Sequence, residues 1–245
     1  MASHTALRIA LLCGMIAFGW ALLASAPPPA QAPARTPPAP DHPDELLQWL
    51  ADGHGDSDAT AWRNAGEIFH WRGERAAAHQ AWRRAARLAR SSSSGGWSQY
   101  TLAWSLLRLG DRGAAEHVQQ AIQQSRRRDS DTSPSYRRSI SRAVLLRLAG
   151  EEELVAEELE LARLRLAAAG GATTGEPLYW LARIEALRGR PEMALAAVQR
   201  AAETADNVRG VGRARWAFEF GELRDDPRFQ RAIDRLEQAP GAVGG

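Results

Sequence analysis

Residues 61–90, AWRNAGEIFHWRGERAAAHQAWRRAARLAR, place apolar and small residues at helical spacing in two groups, with one glycine between them. Trp62, Ala65, Gly66 and Phe69 share one face of a first helix, and Ala78, Trp82 and Ala85 share one face of a second. Gly73 stands where a helix C-cap calls for a left-handed residue. A lone hairpin of this kind cannot bury its apolar face, so the pattern demands copies. Copies follow. YTLAWSLLRLGDRGAAEHVQQAIQ carries Leu102, Ala103, Leu106, Gly110, Ala114 and Ala121, and both Ala78–Ala114 and Ala85–Ala121 are offsets of 36 residues. YWLARIEALRGRPEMALAAVQRAAE carries Leu181, Ala182, Gly189, Ala194, Val198 and Ala201. Between them SISRAVLLRLAGEEELVAEELELARLRL is a weaker copy with Ala143, Leu146, Gly150, Leu159 and Ala162, its register open by one residue. SRRRDSDTSPS and AAAGGATTGEP read as loops that lengthen the interval to about 40 residues.

The order is large, small, small and aromatic on one helix, glycine at the turn, then alanine, aromatic and alanine on the next. It resembles the tetratricopeptide repeat, whose period is about 34 residues. The resemblance covers roughly residues 60–237. It implies an all-α solenoid of about four helix hairpins that holds a segment of another protein in its concave groove. Mapped residue by residue, the groove falls on Arg63, Glu67, His70 and Trp71 in the first hairpin. It continues on Tyr100, Trp104, Leu107 and Arg108 in the second, and on Tyr179 and Arg183 in the late copy. The family's two-carboxylate clamp is not reproduced, because its asparagine position holds Glu67. Arginine and aromatic side chains dominate interface energies, so this composition suits a peptide. Core filling is an equal reading for each tryptophan taken singly.

Both ends of the repeat region read as caps. DELLQWLADG (Asp44–Gly53) forms a short helix with Leu46, Leu47, Trp49 and Leu50 apolar. Near the other end, WAFEFGELRDDPRFQRAIDRL resembles the closing segment of bacterial tetratricopeptide proteins. It places Asp226 as N-cap and Pro227 at the first helical position, with Phe229, Ile233 and Leu236 facing inward.

Ahead of the repeats, residues 9–26 contain no charge and extend for roughly 27 Å as a helix, just enough for a bilayer core. Residues 1–26 are thus expected to be a transmembrane anchor. The alternative is a signal segment cleaved after Ala24-Ser25-Ala26, where Pro27 fits poorly. Residues 27–43, PPPAQAPARTPPAPDHP, form a proline-rich linker, 44–238 the capped repeat domain, and 239–245 a flexible tail. Arg8 gives a slight bias toward a cytoplasmic N-terminus, hence a single-pass inner-membrane protein with its repeats in the periplasm.

Chemical motifs are scarce. Cys13 is the one cysteine, which excludes intrachain disulfides and cysteine-based zinc or haem sites. DGHGDSD, residues 52–58, spaces its acids like a calcium loop but has Ser57 and Arg63 where glycine and glutamate belong, so it reads as a polar turn. His70 and His79 lack metal-ligand spacing, and no nucleophile elbow, dinucleotide fingerprint or phosphate loop appears. The expectation is therefore a non-enzyme with no cofactor, metal, small-molecule substrate or nucleic-acid partner. Its function would be that of a scaffold or assembly factor for another protein, membrane-associated or bearing an acidic segment. A regulatory subunit of an enzyme complex and a secreted adaptor are the alternatives. All 31 basic residues are arginine, and residues 62–147 hold 16 of them against 6 acidic residues. Within that stretch Arg126, Arg127, Arg128, Arg137 and Arg138 mark either a solvated loop or a contact for an anionic partner.

Overall fold

The carboxylate of Asp58 accepts hydrogen bonds from the amides of Thr60 (2.8 Å) and Ala61 (2.9 Å). This N-cap, a device worth about 1 kcal/mol, starts the first helix of the first hairpin. The computed structural model describes residues 39–40, 42–92, 95–131, 135–204 and 211–238. The expected anchor at 1–26, most of the linker, Cys13 and the tail at 239–245 lie outside the described residues. Among the described residues no strand occurs, and no helix is long and apolar enough to cross a membrane.

A capping helix α1 (Pro43–Ala51) precedes four consecutive hairpins. They are α2 (Ala59–Trp71) with α3 (Arg75–Ser91), α4 (Gly95–Arg108) with α5 (Ala114–Asp131), α6 (Tyr136–Ala149) with α7 (Glu152–Ala168), and α8 (Gly175–Leu187) with α9 (Pro191–Thr204). Two short 3-10 turns, Val211–Arg215 and Phe218–Leu223, lead into α10 (Pro227–Gln238). Each helix packs on its hairpin partner, and the first helices α2, α4, α6 and α8 also touch one another in a row. Helix α1 covers α2, and α10 covers α9.

The four hairpins are built by one local device. Gly73, Gly110, Gly150 and Gly189 all have φ between 67° and 80°, a conformation glycine adopts without a Cβ penalty. The amide after each glycine bonds back to a carbonyl in the last helical turn: Glu74 to Phe69, Asp111 to Leu106, Glu151 to Leu146 and Arg190 to Glu185, at 2.8–3.0 Å. This closing pattern leaves no doubt about register in the third hairpin. Counting back from the glycines, Gly66, Ala103, Ala143 and Ala182 are equivalent, and each is buried. On the second helices Ala85, Ala121, Ala162 and Ala201 are equivalent and buried as well. Small residues at both places let the paired helices approach.

Both caps behave as their sequences indicate. Leu46, Trp49 and Leu50 of α1 pack against Ala61, Ala65 and Ile68 of α2. The helix begins at Pro43, one residue inside the stretch read as linker. Asp226 accepts the Arg228 amide at 2.7 Å, and Phe229, Ile233 and Leu236 are fully buried. Complete burial of each such side chain contributes about 1.5–3 kcal/mol.

One reading needs correction. Arg126, Arg127 and Arg128 do not lie in a loop, because α5 runs on to Asp131. Nothing in QQSRRRDSD breaks a helix before Pro134, and cross-helix ion pairs hold the extension in place. Asp129 accepts bonds from Arg138 (2.5 Å) and Arg142 (3.0 Å) of α6 and from Arg165 (2.7 Å) of α7. Glu158 of α7 accepts from Arg126 (3.0 Å) and Arg142 (2.9 Å). Arg142 occupies the position that holds Ala65, Leu102 and Leu181 in the other hairpins, yet it is only 2% exposed. A buried charge survives there because it donates four hydrogen bonds and pairs with the carboxylates of Asp129 and Glu158. The third copy looks degenerate in sequence because an ion network replaces part of its apolar seam.

Candidate partner-binding groove

The row α2–α4–α6–α8 brings the mapped groove residues of α2 and α4 together around one carboxylate. Glu67 is buried and accepts hydrogen bonds from Trp104 Nε1 (2.7 Å) and Arg108 Nε (3.0 Å), with Arg108 Nη2 completing a two-pronged ion pair. The Arg108 guanidinium lies 5.6 Å from the Trp82 ring and 5.2 Å from that of Phe218. Arg63 sits over Tyr100 (5.4 Å) and Trp104 (5.3 Å). Burial drives the Tyr100 phenol up to about 12 and lowers the Arg63 guanidinium from its ordinary value. His70 is also lowered, by desolvation first and by the neighbouring Arg108 charge second.

The chain itself lies against much of this surface. Residues 211–224 form a strap that joins α8, α9 and α10 to the other end of the row. Trp216, 6% exposed, packs into the cluster formed by α1, α2 and Ala81 of α3, which includes Leu46, Trp49, Ala65 and Ile68. Phe218 packs with the cluster containing Trp104 and Ile184. Glu219 forms an ion pair with Arg183, and Phe220 packs 6.1 Å from Tyr179. Arg224 places its guanidinium 5.7 Å from the Trp71 ring. Of the ten mapped residues, Glu67, Trp104 and Tyr179 are buried. Arg63, Tyr100, Leu107, Arg108 and Arg183 are half-buried in these contacts, while His70 and Trp71 are exposed.

An opening remains between α4, α6 and α8, where the end of α5 adds a wall. It is a cavity of about 310 Å³. Trp97, Tyr100 and Trp180 form an aromatic side, and Trp97 is 57% exposed. Arg128, Arg137 and Arg142 line the cavity as well. Trp180 lies between two cations, with Arg137 at 5.4 Å and Arg183 at 4.6 Å from its ring. Glu176 fixes this corner by accepting from Trp180 Nε1 (3.2 Å) and pairing with Arg137 (2.7 Å). Sequence reasoning marked the arginine run but missed Trp97, Trp180 and Arg142. A signal existed for Arg142, a charge on the inward face of a repeat helix, but it becomes readable only when Gly150 sets the register.

The acidic side chains of the polar turn at 52–58 are engaged by neighbouring protein groups. Asp52 accepts from Gln48 (2.7 Å), Asp56 pairs with Arg84 (2.5 Å) and Asp58 caps α2. No protein-family profile matches this chain, and no curated protein matches it as a relative.

Proposed function

We propose that the chain is a tetratricopeptide-type scaffold or assembly factor, non-enzymatic, that captures a segment of another protein. In this reading residues 1–26 anchor it in the inner membrane, residues 27–43 hold it off the bilayer, and the hairpins stand in the periplasm. The observation that supports it most is the fourfold recurrence of one hairpin, with the same glycine turn and the same small-residue seam, stacked so that its first helices form a single row. Such a row presents a preorganised surface, and a tether raises the local concentration of membrane-bound partners. The strap covers the α2–α4 part of that surface and the Tyr179 and Arg183 side of α8, so the contact proposed for a partner is the remaining opening between α4, α6 and α8, with Trp97 at its edge.

The test is site-directed cross-linking in native membranes. A photoreactive residue replaces Trp97 in one preparation and Leu164, 52% exposed on α7, in another. One defined protein captured from position 97 and absent from position 164 supports the reading. Equal capture at both positions, or none at either, refutes it. Purified protein with catalytic activity of its own would refute it independently.

A further inference from the structure

We propose that the cleft between α3 and the end of α4 is a binding site for a phosphate monoester on a small organic body. It lies apart from the α4–α6–α8 opening and does not depend on capture of a protein segment. The first observation is the composition of α3. RAAAHQAWRRAARLARS has five arginines and no acidic residue over 17 positions. Arg83, Arg87 and Arg90 are spaced four and three apart, so they share one exposed face along about 10 Å of helix axis. Like charges at these spacings repel and destabilise a helix. Arg90 offsets this by complementing the negative end of α3, but Arg83 and Arg87 lie before the last turn. The usual remedy is a carboxylate within reach. Neighbouring Arg84 has one, pairing with Asp56 at 2.5 Å, and its guanidinium lies 4.1 Å from the Trp62 ring. Among the described residues Arg83, Arg87 and Arg90 have no such partner.

The second observation is that these three side chains line one cavity, of about 390 Å³. Ala86 of α3 and Leu106 and Leu109 at the end of α4 give it an apolar part. Asp111 is the one carboxylate in its lining, and its Oδ1 accepts the Gly113 amide at 2.8 Å. His79 also lines it, with its ring 5.8 Å from that of Trp82. Three guanidiniums against one engaged carboxylate leave positive charge in excess, which selects an anion. The number of donors selects the kind of anion. One guanidinium fork satisfies a carboxylate, whereas three forks on one cavity match a group with three free oxygens and a charge of about −2, as a phosphate monoester has. The apolar part suits the body that carries it. No tryptophan, tyrosine or phenylalanine lines the cavity, so it lacks the stacking platform of a nucleic-acid groove.

The experiment treats the full-length chain, in neutral detergent, with the arginine reagent phenylglyoxal and reads the modification of each arginine by mass spectrometry. The soluble probes are glycerol 3-phosphate, the dicarboxylate succinate and neutral glycerol. Glycerol 3-phosphate should slow modification of Arg83, Arg87 and Arg90 and leave Arg200, exposed on α9, unchanged. Succinate and glycerol should protect none of them. In a phosphorus NMR titration Arg83→Gln and Arg87→Gln should each bind glycerol 3-phosphate about tenfold more weakly, at unchanged helicity. The same chain exchanged into phosphatidylcholine vesicles, with and without about 20% phosphatidic acid, separates the sources of the phosphate. Protection of the three arginines by phosphatidic acid with no soluble ester added supports the site and assigns it to a lipid headgroup. Protection by glycerol 3-phosphate and not by phosphatidic acid supports the site and assigns it to a soluble ester. Equal protection by succinate, equal protection of Arg200, no protection by either phosphate source, or unaltered binding in both variants overturns the proposal. None of these outcomes bears on cross-linking at position 97, so the site and the scaffold reading fail separately.

Discussion

Replacing Gly66 by alanine should destabilise the protein, against the ordinary helix preference for alanine. An ideal Cβ at position 66 would lie 2.2 Å from Trp82 Nε1, 2.3 Å from Cδ1 and 2.9 Å from Cε2. Carbon contacts relax at about 3.5 Å or more, so the indole must retreat by about 1.3 Å. It has little room. Trp82 is 2% exposed, with His70 at 5.7 Å, His79 at 5.8 Å and the Arg108 guanidinium against its ring. Overpacking of a tight core costs about 1–3 kcal/mol, and this clash belongs at the upper end. Alanine returns about 1 kcal/mol of helix propensity, which leaves a net loss of about 2 kcal/mol. For a folded unit of this size that lowers Tm by about 4–8 °C. The other hairpins supply the rescue. Where the first has Gly66 and Trp82, the second has Ala103 and Val118, the third Ala143 and Leu159, and the fourth Ala182 and Val198. Trp82→Val alone should cost about 3 kcal/mol for the lost packing, while the double variant should be about 2 kcal/mol more stable than the sum of the singles. Urea unfolding followed by circular dichroism of the full chain measures all four corners of this cycle. Strict additivity, or a Gly66→Ala variant more stable than the parent, would show that the hairpin does not depend on this approach.

Three further outcomes follow from the same contacts. Glu67→Gln leaves Arg108 half-buried without its carboxylate and should cost about 3 kcal/mol in urea unfolding; a change below the error of the midpoint contradicts the bonding described. Trp216→Ala should cost about 3–5 kcal/mol and also raise amide exchange in α1, about 170 residues earlier, because Trp216 belongs to one buried cluster with Leu46 and Trp49. Exchange in α1 that does not respond would detach the strap from that end of the row. Burial pushes the Asp129 carboxyl up, but the bonds from Arg138 and Arg165 and the charge and bond of Arg142 outweigh it and hold it below its ordinary 3.8. A depressed carboxyl contributes stability that is complete above that value and fades as pH falls through the folded one. Asp129→Asn should therefore lose stability at neutral pH and show a shallower decline below about 3.8 than the parent, and parallel urea-midpoint curves would refute this.

Substitution of Arg63, Trp104 or Arg108, three of the mapped groove residues, would damage the fold before it touched a partner. Trp104 and Arg108 hold Glu67, and Arg63 spans two aromatic rings of α4. Trp97 and Arg137 are better probes because they are exposed and lie at a cavity. A repeat pattern can tell which side chains face inward on the first helices. Whether the space they face is open depends on which other segment comes to lie there.

What the amino-acid sequence determined is the local part: helix faces set by spacing, left-handed turns set by Gly73, Gly110, Gly150 and Gly189, helix starts set by Asp58 and Asp226, and seams set by small residues. Each of these depends on neighbours within a few residues, so it is written in the order of the chain. Only the tertiary structure decided that Trp216 returns to α1, that Glu219 meets Arg183, and that Arg142 is buried in an ion network. The strap has no helical or strand periodicity to betray its direction, and an aromatic residue reads the same whether it faces its own neighbours or a helix at the far end of the row. Burial of a charge is likewise settled by partners on other helices, here Ser125, Asp129 and Glu158, whose distance from Arg142 the linear sequence does not contain.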